Sequence, residues 1–414
     1  MTRSVSLAND AIWARHSGVI SRQERNTIRK FLNDFKPLID GTTLAFSCDM
    51  HVSQTHRLDQ LQGVLLGAVV GDALGLPREG LSPTRALRMF GDRPLQHRFL
   101  FGHGMASDDA EHACLTAQAL LAAPQDEVHF ARSLAWRLRG WFAALPAAVG
   151  WATLRAIVKL WIGFSPKTSG VYSAGNGPAM RAPVIGACFA DTPERIASYV
   201  RISTRITHTD PRAEEGALAI ALAAAHGVRR GPDGVSYNEL LDEIHQWIRH
   251  DELRRALERV REHLARGSSM VEFAGGMGFS EGVSGYMLHT VPAALYCWLS
   301  NPGNIERAVE DVILLGGDAD STGAIVGALA GATAGASAIP QKWLDGITDW
   351  PRSIAWMKAL GARLAFTFSQ EKPADSNIER PGPLPLFWPA IPIRNFFFLT
   401  VALAHGFRRM LPPY

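Results

Sequence analysis

Apolar residues along most of this 414-residue chain recur at the three- and four-residue spacing of helices, and the alternation that marks strands is nearly absent. The pattern predicts helices over Ala131–Ala144, Ala147–Leu160, Glu214–His226, Tyr237–Ile248 and Leu253–Leu264. The uncharged run Gly323 to Pro340 is rich in glycine and alanine and reads as a closely packed core helix. The expected class is therefore all-α, a compact multi-helix fold.

Three regions separate along the chain. Residues 1–56 are polar and of mixed charge; a helix is expected over Ser21–Phe35, where Ser21 and Glu24 have the spacing of a capping box. Residues 57–368 carry the repeated helical patterns. Residues 369–414 open with Pro373, Pro381, Pro383, Pro385, Pro389 and Pro392, so an extended connector is expected to residue 393. An apolar helix should follow over Arg394–Met410, with Arg408 and Arg409 at its end, packed on the core.

Composition narrows the class. A formal net charge of only +3 gives no reason to expect a nucleic-acid binder, which gathers basic residues on one face. Cys48, Cys114, Cys188 and Cys297 are far apart and match no metal spacing; they read as small buried hydrophobes in a reducing compartment. No run reads as a membrane span, and the N-terminus lacks the apolar core of a signal peptide. A cytoplasmic protein is expected.

The candidate chemistry lies in two acidic turns, Ser107-Asp108-Asp109-Ala-Glu111 and Gly316-Gly317-Asp318-Ala-Asp320-Ser321. Helix capping explains one such turn: Asp108 with Glu111 has the spacing of a capping pair, and acids in a first turn complement the helix dipole. Capping accounts for one acid per turn, and each turn has at least two. Asp318 and Asp320 would not share a helix face, and adjacent carboxylates repel unless a cation lies between them. The donors are all oxygen, which suits magnesium, manganese or calcium rather than zinc. Four carboxylates match the charge of two divalent ions, although spacing alone does not bring the two turns together.

Several motifs in order give the chain a resemblance to the ADP-ribosylglycohydrolase family over about residues 60–340. They are the glycine-rich Gly63–Gly80 stretch with Asp72 and Glu79, then Ser107-Asp108-Asp109, then Ser173-Ala-Gly175-Asn176-Gly177-Pro-Ala179-Met180-Arg181, then Thr207-His208, and last Gly316–Ser321. Ser107 and Ser321 stand where threonine is usual; serine keeps the oxygen but lacks the methyl that restricts its rotamer. The resemblance implies an all-α fold with two divalent cations, Mg2+ or Mn2+, at the base of a cleft. Their ligands would be Ser107, Asp108, Asp109, Asp318, Asp320 and Ser321. It implies a hydrolase that removes ADP-ribose from modified protein side chains, with ADP-ribosyl-arginine the expected linkage.

Ser173, Gly175, Asn176, Gly177, Met180 and His208 would bind substrate, the glycine-rich turn offering backbone N–H groups. Asp72 would be a supporting residue. Some relatives draw a catalytic acid from the loop before the Gly-Asn-Gly motif, but no Asp or Glu lies between Glu127 and Asp191 here. The base is then Glu79, a ligand carboxylate such as Asp109 or Asp320, or hydroxide on the metal. An alternative reading treats residues 1–56 as the arm of an immunity protein that covers an ADP-ribosyltransferase toxin, with hydrolysis secondary.

Overall fold

The computed structural model describes residues 41–147, 149–369 and 380–412, with side chains from residue 55 onward. The helix expected over Ser21–Phe35 lies outside them. Among the described residues the elements are helices, and the only β pairings are isolated bridges between loops. The all-α expectation holds.

The first half of the chain forms α1 (Gly41–Gly75), a 3-10 turn at Leu76–Arg78, α2 (Pro83–Phe90), α3 (Asp108–Ala122), α4 (Glu127–Ala143), α5 (Trp151–Trp161), α6 (Ala182–Cys188) and α7 (Pro193–Arg205). The helices expected from residues 131 and 147 are α4 and α5, with shifted starts. Asp126 accepts from His129 N at 2.9 Å and so begins α4 early. Gly150 takes an extended conformation at the N-cap, and α5 starts only after it.

The second half adds α8 (Pro211–Gly234), α9 (Tyr237–Trp247), α10 (Asp251–Ala265), α11 (Met270–Met277), α12 (Met287–Leu299), α13 (Ile305–Leu314), α14 (Ala319–Ala334), α15 (Gln341–Asp345), α16 (Ile354–Phe368) and α17 (Ala390–Arg409). α17 begins four residues before the expected Arg394, which shortens the connector. Pro392 falls in its first turn, where a missing N–H breaks no hydrogen bond. The connector is held by Gln118, whose side chain donates to Leu384 O and accepts from Leu384 N, both at 2.7 Å.

The expected core helix over the Gly/Ala run is α14, and its partner is α1. Gly63, Gly67, Gly71 and Gly75 repeat every four residues, so they share one face of α1. They lie against Gly331, Gly327, Gly323 and Ala319 of α14, which runs antiparallel. The contact is backbone on backbone: a Cβ at Gly67 would fall 2.0 Å from Gly327 O, and one at Gly327 would fall 2.1 Å from Gly67 O. Val64, Leu65, Ile325 and Leu329 bury the surrounding apolar surface. The antiparallel sense sets the end of α1, with Asp72, beside the start of α14, with Asp318 and Asp320.

Gly67→Ala should therefore force α1 and α14 apart and destabilise the protein by about 1–3 kcal/mol, read as the urea midpoint. Gly140→Ala, whose Cβ would meet nothing nearer than Trp388 Nε1 at 3.9 Å, should be neutral or stabilising by up to about 1 kcal/mol.

Candidate active site

Ser107 caps α3. Its Oγ accepts from Asp109 N at 3.5 Å and donates to Asp109 Oδ2 at 3.1 Å. Asp72, at the end of α1, accepts from Ser107 N at 2.8 Å and from Ala110 N at 3.1 Å. The turn is thus tied to the glycine-packed helix, in the supporting role expected of Asp72. The expected Asp108–Glu111 capping pair is not formed. Ser107, in extended backbone, takes the cap position, and Glu111 turns inward to accept from Trp141 Nε1 at 2.5 Å and Arg352 Nη1 at 2.6 Å.

The second turn needs its glycines. Gly316 and Gly317 have φ of 69° and 77°, and a Cβ at Gly317 would lie 2.2 Å from Val283 O. Backbone hydrogen bonds fix the turn: Gly80 N to Gly317 O at 2.7 Å, Gly317 N to Leu81 O at 2.8 Å, and Asp318 N to Val283 O at 2.6 Å. The pairing through Gly80 and Leu81 also brings in Glu79. Asp318 stands at the N-cap of α14, yet its carboxylate makes no cap bond; Oδ2 accepts from Asn176 Nδ2 at 2.6 Å.

One cavity of about 470 Å³ receives these groups. One part of its wall carries Glu79, Asp108, Asp109, Asp318, Asp320 and Ser321; another carries Ser173, Gly175, Asn176, Gly177, Met180 and His208. Of the expected site residues only Ser107 does not line it, being buried behind Asp109. A second cavity, about 430 Å³ and lined by Trp136, Trp141, Trp356 and Trp388, has no acidic wall and none of these residues.

The glycine-rich turn is pressed against His208. A Cβ at Gly175 would lie 3.3 Å from His208 Nε2, and one at Gly177 3.2 Å from Cε1. Two of its amides expected to face a ligand are engaged within the fold: Gly175 N donates to Ser173 Oγ at 3.3 Å and Asn176 N to Gly285 O at 2.9 Å. Burial, with Arg181 close by, pushes His208 down to about 3, so its imidazole is neutral. Its Nδ1 lies 2.9 Å from Thr207 Oγ1.

Burial, reinforced by neighbouring carboxylates, holds Asp108, Asp109 and Asp320 well above the usual carboxylate range. Burial also raises Glu79 and Asp318; Arg409 opposes the rise at Glu79, and Asn176 opposes it at Asp318. Asp109 Oδ1 is buried with no hydrogen-bond partner. Such a cluster needs protons or cations to neutralise it, and its hard oxygen donors suit divalent cations of the magnesium type. Among the described residues no three His, Cys, Asp or Glu side chains form a ready-made cage, so the fit lies in donor chemistry and unmet charge.

Some residues that shape the site carry no local signal. Arg394 of α17 donates to Ala106 O and pairs with Asp349, at 2.6 Å between Nη2 and Oδ2. Asp349 accepts from Ala106 N at 2.9 Å, so this buried pair grips the residue before Ser107. Arg409 donates to Leu76 O at 3.1 Å and Pro77 O at 3.2 Å, holding the turn that leads to Glu79. Trp151, 72% exposed, stands on the cavity wall at the start of α5.

The all-α core carries two acidic turns and a glycine-rich turn on the wall of one carboxylate-lined cavity. The ADP-ribosylglycohydrolase family model matches residues 53–373, and the chain belongs to that family. It is a hydrolase of ADP-ribose linkages. An uncharacterized protein of Archaeoglobus fulgidus is 32% identical over 298 residues, 70% of this chain and 92% of that protein. The ADP-ribosyl-[dinitrogen reductase] glycohydrolase of Rhodospirillum rubrum is 26% identical over 69% of this chain and 89% of its own. The ADP-ribosylhydrolase ARH3 of Xenopus tropicalis is 26% identical over 69% of this chain and 90% of its own. A solved ADP-ribosylglycohydrolase-related protein complex superposes with a TM-score of 0.57 at 29% identity, covering 75% of this chain and 98% of that one.

Two substitutions test the supports. Asn176→Ala removes the donor to Asp318 and should lower kcat/KM for ADP-ribose release by about 10–100-fold in steady-state assays. Arg394→Met leaves Asp349 buried without its counter-charge and should cost about 3–5 kcal/mol in chemical unfolding.

Proposed function

We propose that this family member removes ADP-ribose from arginine side chains of proteins, using two divalent cations, Mg2+ or Mn2+. Ser107, Asp108, Asp109, Asp318, Asp320 and Ser321 would hold the cations. Bound there, the pair would polarise the ribose hydroxyls and the attacking water. The observation that carries the reading is the cavity wall: five carboxylates, including Glu79, and no lysine or arginine. Two divalent cations balance four of those charges and leave one, which favours a cationic guanidinium at the scissile bond. The Rhodospirillum relative, named for ADP-ribosyl-[dinitrogen reductase], supports a protein-linked substrate.

The remaining residues have roles in this reading. Glu79, outside the ligand set, takes the proton from water as its oxygen attacks the anomeric carbon; the C–N bond to the arginine breaks, its electron pair leaves with the guanidine, and that group regains the proton from Glu79. Asp109 and Asp320 would help hold the cations, whose charge would favour binding of the ribose hydroxyls. Asn176 holds Asp318 in place. Neutral His208, with Ser173, Gly175, Gly177 and Met180, receives the uncharged parts of the substrate without drawing in a competing anion. The occlusion reading rests on residues 1–56, and none of the relatives named above is described as an immunity factor.

The test uses an arginine-ADP-ribosylated protein incubated with the full chain. ADP-ribose should be released with Mg2+ or Mn2+, stop with EDTA, and fall by at least about 100-fold in Asp108→Ala and Asp320→Ala. The same cations should raise the melting temperature of the parent but not of either variant. Release that is independent of metal, or variants that behave like the parent, would refute the reading. Faster release from serine than from arginine would refute the choice of acceptor.

A further inference from the structure

α17 packs on the core through a face of mixed polarity. Several of its polar side chains face the protein. Arg394 and Asn395 are buried, and Asn395 donates to Ala144 O at 2.8 Å. His405 Nε2 donates to Phe99 O at 2.7 Å, and Arg409 reaches the Leu76 and Pro77 carbonyls. Ile391 and Phe398 are buried beside them, but most of its large apolar side chains face outward. Ile393, Phe396, Phe397, Leu403, Phe407 and Met410 are exposed, Phe396 at 73% and Phe407 at 65%. Single exposed apolar residues are ordinary, but Ile393, Phe396, Leu399, Leu403, Phe407 and Met410 recur at three- and four-residue steps, with Phe397 beside them, and so form one stripe. Twenty residues make that stripe about 30 Å long.

Two features show what covers the stripe. The first is attachment. Among the described residues α17 is the helix with the length and composition of a membrane span. Its polar face is hydrogen-bonded to the core at both ends, however, so it lies along the protein and presents the stripe sideways. The second is charge. The chain has no acid from Arg380 to its last residue, and Arg408 is exposed at the end of the stripe. The loop whose Phe99 stacks on Phe398 and His405 raises Phe101 to 97% exposure, beside exposed Arg98. Phe101 holds a φ of 47°, a conformation that bulky residues rarely adopt. A second copy of the chain would bring the same acid-free surface and no carboxylate from α17 to meet Arg408.

We infer that α17 and the Phe101 loop form a peripheral docking face for an anionic membrane surface. Phe396, Leu403, Phe407 and Phe101 enter the acyl boundary, and Arg98 and Arg408 meet lipid phosphates. The end of the helix binds the turn leading to Glu79, so a docked molecule holds its cleft close to the lipid surface.

Co-sedimentation of the full chain with phosphatidylcholine vesicles, with and without phosphatidylglycerol, tests this. Binding should favour the anionic vesicles and weaken with salt. The triple variant Phe396→Glu, Leu403→Glu, Phe407→Glu should lose at least about tenfold in partitioning while keeping its melting temperature, because all three side chains are exposed. Should the triple variant melt early, Phe396→Glu alone serves, with the same direction expected. The inference is overturned by no binding to either vesicle, by equal binding of the variants, or by a dimer that the variants abolish in a protein that ignores vesicles.

Discussion

The backbone-to-backbone contact of α1 with α14 is the constraint on which the site depends. Helices packed through ordinary side chains stand 8–10 Å apart, and residues projecting from their ends are separated accordingly. Here Gly63, Gly67 and Gly71 meet glycine and Gly75 meets the backbone of Ala319, and the antiparallel helices close to contact between main chains. Nothing larger than hydrogen fits between them. The end of one helix is thereby set against the start of the other, with Asp72 and Glu79 on one side and Asp318 and Asp320 on the other. Glycine inside a helix costs about 0.5–1 kcal/mol against alanine, so a row of them is retained only where such an approach repays it.

What that contact brings together is unfavourable by itself. Burial raises the proton affinity of these carboxylates, and their repulsion of one another raises it further. The fold holds them with hydrogen bonds aimed from outside the cluster: backbone amides of the Ser107 turn bind Asp72, Asn176 reaches Asp318, and the Arg394–Asp349 pair grips Ala106. One of these supports, Arg394, comes from α17, beyond the stretch matched by the family model. The attached face of α17 is shared between polar residues and Ile391 and Phe398, and much of its remaining apolar surface faces out.

Much of the helical architecture was legible from periodicity, because a buried helix face needs apolar residues every three or four positions. The errors lie at boundaries, where single residues decide: Asp126 starts α4 early, Gly150 delays α5, and Pro392 is accepted in the first turn of α17. The acidic turns were legible as chemistry, since hydroxyls and paired carboxylates next to glycine leave few uses. The partners that take Glu111 away from the cap were not: Trp141 and Arg352 bind it, and neither is near it in the chain.

Local order thus lay in the residues themselves: which segments coil, where glycine permits a turn, and which oxygen donors a site has to offer. Those properties arise from interactions within a few positions of each residue. Convergence was decided in three dimensions. Asp109 and Asp318 are more than two hundred positions apart, and only the glycine seam makes them neighbours. The same holds for α17, whose pattern announces an apolar helix that should bury its apolar face. Ile391 and Phe398 are buried, but backbone carbonyls at Leu76, Phe99, Ala106 and Ala144 bring its polar side chains to the same face, and hydrogen-bond partners that distant leave no trace in the pattern of the helix itself.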